Sequence, residues 1–322
     1  MTRLVRKSIV QFMMEDDGYG TGIPAGSSWG PTDAIQVANP SFRIIRNTVP
    51  RDLVRGYFGA SEELPAYRQT EIKFDVELAP SGTAGVAPKW GLLLRAAGFA
   101  ETVTVDTKVV YTPITDDPES GVVRYWLDGV GYYSRGARAT AELMLDAFGI
   151  PKARFTISGF DNAANSVSAS ASFTGWADPE VITTANSSEI KLGATLAAAG
   201  SMSGGTAYPH RGLSIDIGNQ LEFSEVVGDE SIDITDRQIV GKTTMSLTAA
   251  QEVTWRTEIN AVTLSSFGLR HGSGAGKNLT VFGPAVQRVD PQTVDHQGRA
   301  LTEMELRFKP SSGNDDLSIV CW

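Results

Sequence analysis

The sequence predicts a mainly β protein of two tandem halves, each with one short flanking helix, preceded by an extended N-terminal arm. Three observations carry this. Ile72, Phe74, Val76 and Leu78 alternate with Glu71, Lys73, Asp75 and Glu77, a period of two that marks a strand with one dry face and one wet face. Near the other end, Met304, Leu306 and Phe308 alternate in the same way with Glu303, Glu305, Arg307 and Lys309. Each half also holds one helical pattern among its strand-like runs.

Residues 1–65 read as the arm. Gly, Pro, Ser and Asn are scattered through them, with single aromatics at Tyr19, Trp29, Phe42, Tyr57 and Phe58 and little sustained periodicity. So long a run without regular structure is unusual in a compact domain. Its aromatics favour order gained against a neighbour, because disordered segments are poor in them. The alternating strand then stops at Pro80, and Ser81, Gly82 and Gly85 form a loop. Pro88 opens a helix in which Trp90, Leu93, Leu94 and Ala97 share one stripe, and Gly98 closes it.

Lys108–Ile114 and Val122–Leu127 are predicted to form a β-hairpin around the turn residues Asp116–Gly121. Tyr132–Asp146 and Ala153–Ile157 are further strands around a Gly149–Pro151 turn. Residues 161–206, rich in Ala, Ser, Asn and Gly, read as connection with one strand near Ile190–Leu192. The division between the halves falls here, giving a first domain at 66–180 and a second at 181–322.

In the second half Leu213–Ile217, Leu221–Phe223, Ser231–Thr235 and Thr243–Leu247 are strand-like. Thr248 and Gln251 make a capping box, in which hydroxyl and amide satisfy free N–H groups at a helix start. Trp255, Ile259 and Val262 are the predicted dry stripe of that helix, followed by strands at Leu279–Phe282 and Thr302–Lys309. Laying 126–158 over 216–248 gives about three identities, the level of chance, so any duplication resides in the pattern of elements.

The charge and motif content exclude several function classes. A net charge of −9 argues against a protein that grips nucleic-acid phosphates, and suits a surface that nucleic acid passes without sticking. The single cysteine, Cys321, allows no internal disulfide or cysteine metal site and reads as a small buried hydrophobe. The apolar run Ile9–Met14 is broken by Gln11 and ends in acidic residues, so no signal peptide is expected and no stretch approaches a membrane span.

Catalytic motifs fail one by one. HGSGAGKN at 271–278 has His where a phosphate loop needs Gly and Asn where it needs Ser or Thr, and reads as a glycine-rich loop between helix and strand. GYGTG at 18–22 lacks dinucleotide-fingerprint spacing, and GSMSGG at 200–205 has Met202 where a nucleophile would stand. His210, His271 and His296 are far apart and read as loop histidines. Asp229, Glu230, Asp233 and Asp236 lack the glycine of a calcium loop. No catalytic, cofactor-binding or metal residue is assigned, and the chain is read as a non-enzyme.

The segments TEIKFDVELAPSGTAGVAPKWGLLLRAAGF (70–99), KVVYTPI (108–114), GNQLEFSEVVGDESIDITDRQIVGKTTMSL (218–247) and GKNLTVFGPAVQRVDPQTVDHQGRALTEMELRFKP (276–310) together resemble the major tail tube proteins of long-tailed bacteriophages. The resemblance spans roughly two thirds of the chain, in the right order, with no single diagnostic motif. It implies a structural virion protein of two tandem β-sandwich halves that assembles in the host cytoplasm. Its rings would stack into a hollow tube that conducts DNA at ejection.

Two tube-like halves per chain imply a trimeric ring with pseudo-sixfold symmetry, a hexamer being the alternative. The implied partners are further copies of itself, the tape measure protein, the tail terminator and the tail tip, with DNA only in transit. By the same resemblance Glu71, Lys73, Asp75, Glu77, Glu303, Glu305, Arg307 and Lys309 are candidates to line the channel, against the simpler reading that they face bulk water. Tyr19, Trp29, Phe42, Tyr57 and Phe58 are candidates for contacts between subunits or rings, so removing 1–65 would leave soluble subunits that no longer stack. The rivals are a β-sandwich binding module, which would cluster its aromatics on one face, and a tail terminator or tube initiator.

Overall fold

The computed structural model describes residues 3–322. Its first half holds β1 (Ser8–Met14), β2 (Ala34–Ile35), β3 (Ala38–Pro50), β4 (Glu63–Glu77), α1 (Gly91–Ala96), β5 (Phe99–Thr104), β6 (Lys108–Pro113), β7 (Gly121–Leu127), β8 (Val130–Asp146) and β9 (Lys152–Ser166). The rest holds β10 (Ile190–Leu196), β11 (Met202–Tyr208), β12 (His210–Asp216), β13 (Asn219–Val226), β14 (Asp229–Arg237) and β15 (Val240–Met245). After these come α2 (Ala249–Asn260), β16 (Ser265–His271), β17 (Leu279–His296), β18 (Arg299–Lys309) and β19 (Ser318–Cys321). The chain is mainly β, as its alternation predicts.

The alternating stretch is the C-terminal part of β4. Ile72, Phe74, Val76 and Leu78 are all buried, and so are their partners Ala153, Phe155 and Ile157 on β9. Burying a side chain of this size contributes roughly 1.5–3 kcal/mol. Helix α1 is short because its work is packing: Trp90, Leu93, Leu94 and Ala97 are all buried. Gly98 follows at φ +75°, the left-handed position that ends a helix cheaply only at glycine.

One antiparallel ladder runs β3–β4–β9–β8–β12–β15–β18–β17. The strands before and after residue 180 thus belong to one sheet, joined where β8 meets β12. Three further ladders branch from its strands β8 and β17: β2–β1–β7–β8, β11–β10–β16–β17 and β5–β6–β19–β17. The buried apolar side chains of these strands make one continuous core, from Val10 and Phe12 to Leu306 and Ile319.

One pairing scheme occurs twice. The order β3–β4–β9–β8 recurs as β12–β15–β18–β17, and β2–β1–β7–β8 recurs as β11–β10–β16–β17. Helix α1 follows β4 as α2 follows β15. The repetition matches β8–β9 with β17–β18, whereas laying 126–158 over 216–248 would match β8 with β13 and β14, and β9 with β15. The few identities of that overlay carry no structural information, because the repetition lives in hydrogen-bond order and not in residue identity.

Three local expectations are corrected. No hairpin joins β6 to β7: β6 pairs β5 and β19, while β7 pairs β1 and β8. The acidic turn between them carries the chain from one ladder to another, and Arg95 holds it through Nε to Glu119 at 2.7 Å. In α2 the capping box forms, with Gln251 Oε1 accepting from the Thr248 N–H at 2.8 Å, but of the predicted stripe only Trp255 is fully buried. Val262 lies past the helix end and is 56 % exposed, because Trp255 alone seats the helix, with the Arg288 guanidinium 4.7 Å from its ring.

The glycine-rich loop 272–278 joins two strands rather than a helix and a strand. It is glycine-rich for a packing reason. The Gly276 carbonyl accepts from the Gly82 N–H at 3.0 Å, and a Cβ on Gly276 would stand 2.5 Å from the Thr83 nitrogen. Only a residue without Cβ lets the two loops close on each other.

Candidate functional site: a charged sheet face

Residues directly opposite in an antiparallel ladder project to the same face. That rule places the two predicted charged sets on one surface. Asp75 faces Arg154, Arg154 faces Glu142, Glu142 faces Asp216, Asp216 faces Val240 and Val240 faces Arg307. One row further along, Glu77 leads through Lys152, Met144, Ser214 and Lys242 to Glu305. Glu71, Lys73, Glu303 and Lys309 complete the face at alternate positions on the same two strands. All eight residues singled out in the sequence are therefore brought together across the sheet.

The carboxylates on this face are largely neutralised. Glu71 pairs with Arg43 at 2.8 Å and Lys73 at 3.2 Å. Asp75, buried, pairs with Arg154 at 3.0 Å and accepts a hydrogen bond from Asn39. Glu303 pairs with Lys242 at 2.8 Å, and Glu305 with Arg307 at 3.1 Å. The result is a mixed polar surface without a run of free cations, which gives phosphates little to hold.

Burial pushes the Glu71 carboxyl up, but the hydrogen bonds from Arg43 and Lys73 outweigh it and leave the group below its usual range. A depressed carboxylate stabilises the fold above its unfolded-state pKa, and the benefit disappears as pH falls through the folded value. Glu71→Gln should therefore be less stable than the parent at neutral pH, by up to about 1 kcal/mol for so exposed a partner as Arg43. Urea denaturation across a pH series should show the two proteins converging at the acid end.

Lys152, Arg154, Glu142, Asp216 and Lys242 also belong to this face and were not singled out from the sequence. A signal existed for the first two: Lys152, Arg154, Thr156 and Ser158 alternate with buried Ala153, Phe155 and Ile157.

The structure divides the N-terminal stretch. β1 pairs along its length with β7, and Val10, Phe12 and Met14 are core residues. Gln11, which breaks the apolar run, is itself buried: its Oε1 accepts from the Arg124 Nε at 2.6 Å and its Nε2 donates to the Gly30 carbonyl at 2.6 Å. Trp29 lies under the Arg124 guanidinium at 5.0 Å, and Phe42 stacks on Tyr125 at 5.4 Å.

Tyr19 Oη accepts from the Ile232 N–H at 2.6 Å and donates to the Gly136 carbonyl at 3.1 Å. These three aromatics are engaged within their own chain. Tyr57 and Phe58, 72 % and 108 % exposed, stand on the tip between β3 and β4. Removing 1–65 would delete β1 and β3, so loss of folding would mask any loss of stacking. The informative excision is the tip, 51–62.

The three histidines lie in strands rather than loops, at the start of β12 and at the ends of β16 and β17. His271 Nδ1 bonds the Ser187 hydroxyl at 2.7 Å and Nε2 lies 3.0 Å from the Glu180 carbonyl, while burial lowers its pKa. Burial pushes the Cys321 thiol up. Among the described residues no group of three or more His, Cys, Asp or Glu side chains is arranged to hold a metal. No helix of the described residues is long and apolar enough to cross a membrane.

Fold and face together define a β-rich protein organised around one broad sheet with a charge-balanced polar surface. The model of the phage tail tube protein family matches residues 6–316, and the chain belongs to that family. No curated protein matches it.

Proposed function

We propose that copies of this chain close into rings that stack as the hollow tube of a phage tail, with the charged face of the long sheet lining the channel. The observation that carries this is the single polar face running across β4, β9, β8, β12, β15 and β18, whose neutralised carboxylates let DNA slide. The role is mechanical rather than catalytic, with tape measure protein, terminator and tail tip as neighbours and assembly in the host cytoplasm. The twice-used pairing scheme supports reading the chain as two tube modules divided near residue 180, the first taking in β1–β3 as well as 66–180 and the second lying in 181–322, and hence three chains per ring with pseudo-sixfold symmetry.

Negative-stain electron microscopy over a concentration series tests this. Rings or tubes with a central channel and pseudo-sixfold views are expected. A chain that stays monomeric at every concentration, even with a tail-tip preparation added as nucleus, would sink the proposal. The exposed tip bearing Tyr57 and Phe58 is proposed to reach the next ring. Replacing 51–62 by a short glycine-serine turn should leave rings but abolish long tubes, and unchanged tube length in the micrographs would remove the tip from that role.

A further inference from the structure

Resting on the ring reading, we infer that the joint between two copies repeats the joint inside one: the free edge of β17 takes up β3 of the next copy, antiparallel, as β8 takes up β12. The twofold pairing scheme makes β17 the counterpart of β8 and β3 the counterpart of β12. Inside the chain β8 runs on past β7, and its segment Glu142–Asp146 is occupied on that edge by β12. β17 runs on past β16 in the same way, since Val286 is the last residue that β16 pairs. From Gln287 to His296 only the β18 edge is paired among the described residues. Among the described residues β3 pairs β4 alone, leaving its outer edge open from Ala38 to Pro50.

The two edges are also matched in charge. β3 carries Arg46 and no carboxylate, its other arginine, Arg43, being paired with Glu71 of its own chain. The free part of β17 carries Asp290 and Asp295, while its one arginine, Arg288, is buried and bonded to Glu258 at 2.6 Å. Pro40, Pro50 and Pro291 lack the N–H that an unprotected edge would offer to any passing strand, a device that limits pairing to the remaining residues.

The hairpins follow the same template. β12 continues into β13 and β14 into β15, and this extended hairpin leans on the first half: Asn219 Nδ2 donates to the Ala139 carbonyl at 2.9 Å, Asp233 pairs with Arg138 at 2.7 Å, and Phe223 stacks on Tyr67 at 4.4 Å. The stem of the β3–β4 hairpin is its counterpart, and Val49 and Leu64 on it are at least half exposed. In the ring that stem leans on β17 and β18 of the preceding copy.

Hydrogen exchange on free subunits and on assembled rings or tubes tests this. Amides of 38–49 and 288–296 should slow by about tenfold or more on assembly. Those of 142–146 and 212–216 should be protected in both states. Assembled particles in which 38–49 and 288–296 exchange as in the subunit, or in which protection falls instead on β5 or β11, would overturn the joint and leave the tube reading standing. A chain that forms no ring under any condition overturns both.

Discussion

Trp90→Ala should lower stability by about 3–5 kcal/mol, read as a shift of the urea midpoint with unchanged slope. The indole is buried at the start of α1, packs 5.6 Å from the Tyr111 ring and donates through Nε1 to the Ala79 carbonyl at 2.8 Å. Its removal leaves a large cavity between helix and sheet and an unpaired buried carbonyl, and no neighbour can collapse into the space because Leu93, Leu94 and Phe99 are already fully packed. Trp90→Phe should recover much of the loss, since it restores volume but not the hydrogen bond. If Trp90→Ala cost less than about 1 kcal/mol, the helix would not be an organising part of the core.

Glu15→Ala should cost about 3 kcal/mol, with the loss concentrated in the segment that follows β1. One carboxylate accepts four hydrogen bonds: Oε2 from the Gly20 N–H and the Ser120 hydroxyl, Oε1 from the Gly22 and Gly136 N–H groups. Gly136 and Ser120 are buried, so alanine leaves donors that water cannot reach. The same segment presents Tyr19 to Ile232 and lies beneath the Arg138 guanidinium, 4.6 Å from the Tyr19 ring. Faster exchange at the Gly20, Gly22, Gly136 and Ile232 amides in the variant should accompany the loss. An unchanged exchange pattern would show that the segment is held by something else.

The local grammar of the fold was legible where a single segment carries both its burial pattern and its stop signal. β4 ends before Pro80, α1 ends at Gly98, and the Thr248–Gln251 box starts α2, each by chemistry confined to a few residues. β1 was hidden because Gln11 looks like a break in an apolar run, whereas its partner Arg124 lies more than a hundred residues away. The β6–β7 hairpin was misread for a related reason: a good turn sequence says that the chain reverses, not that the flanking strands pair. β6 instead finds β19 at the far end of the chain.

The charged face was legible in part. Alternation at 71–77 and 303–309 says that each strand has a polar side. Only the register of the four strands between them shows that the two sides are one surface. Its electrostatic balance was legible least, because Arg43, Arg154 and Lys242 reach their carboxylates from neighbouring strands.

The pairing of β8 with β12 inside one chain also has a kinetic meaning. Tethered segments meet at an effective concentration that can reach the order of millimolar, whatever the concentration of the protein in the cell. Such a joint forms during folding and survives any dilution that leaves the chain folded. In the ring proposed above, permanent joints would alternate with concentration-dependent ones, so breakage would occur between chains and release whole chains. Assembly then requires fewer simultaneous encounters than separate modules would. On that reading the two modules would never exchange for one another, and each could keep its own packing, as the buried α1 and the α2 seated on Trp255 differ here.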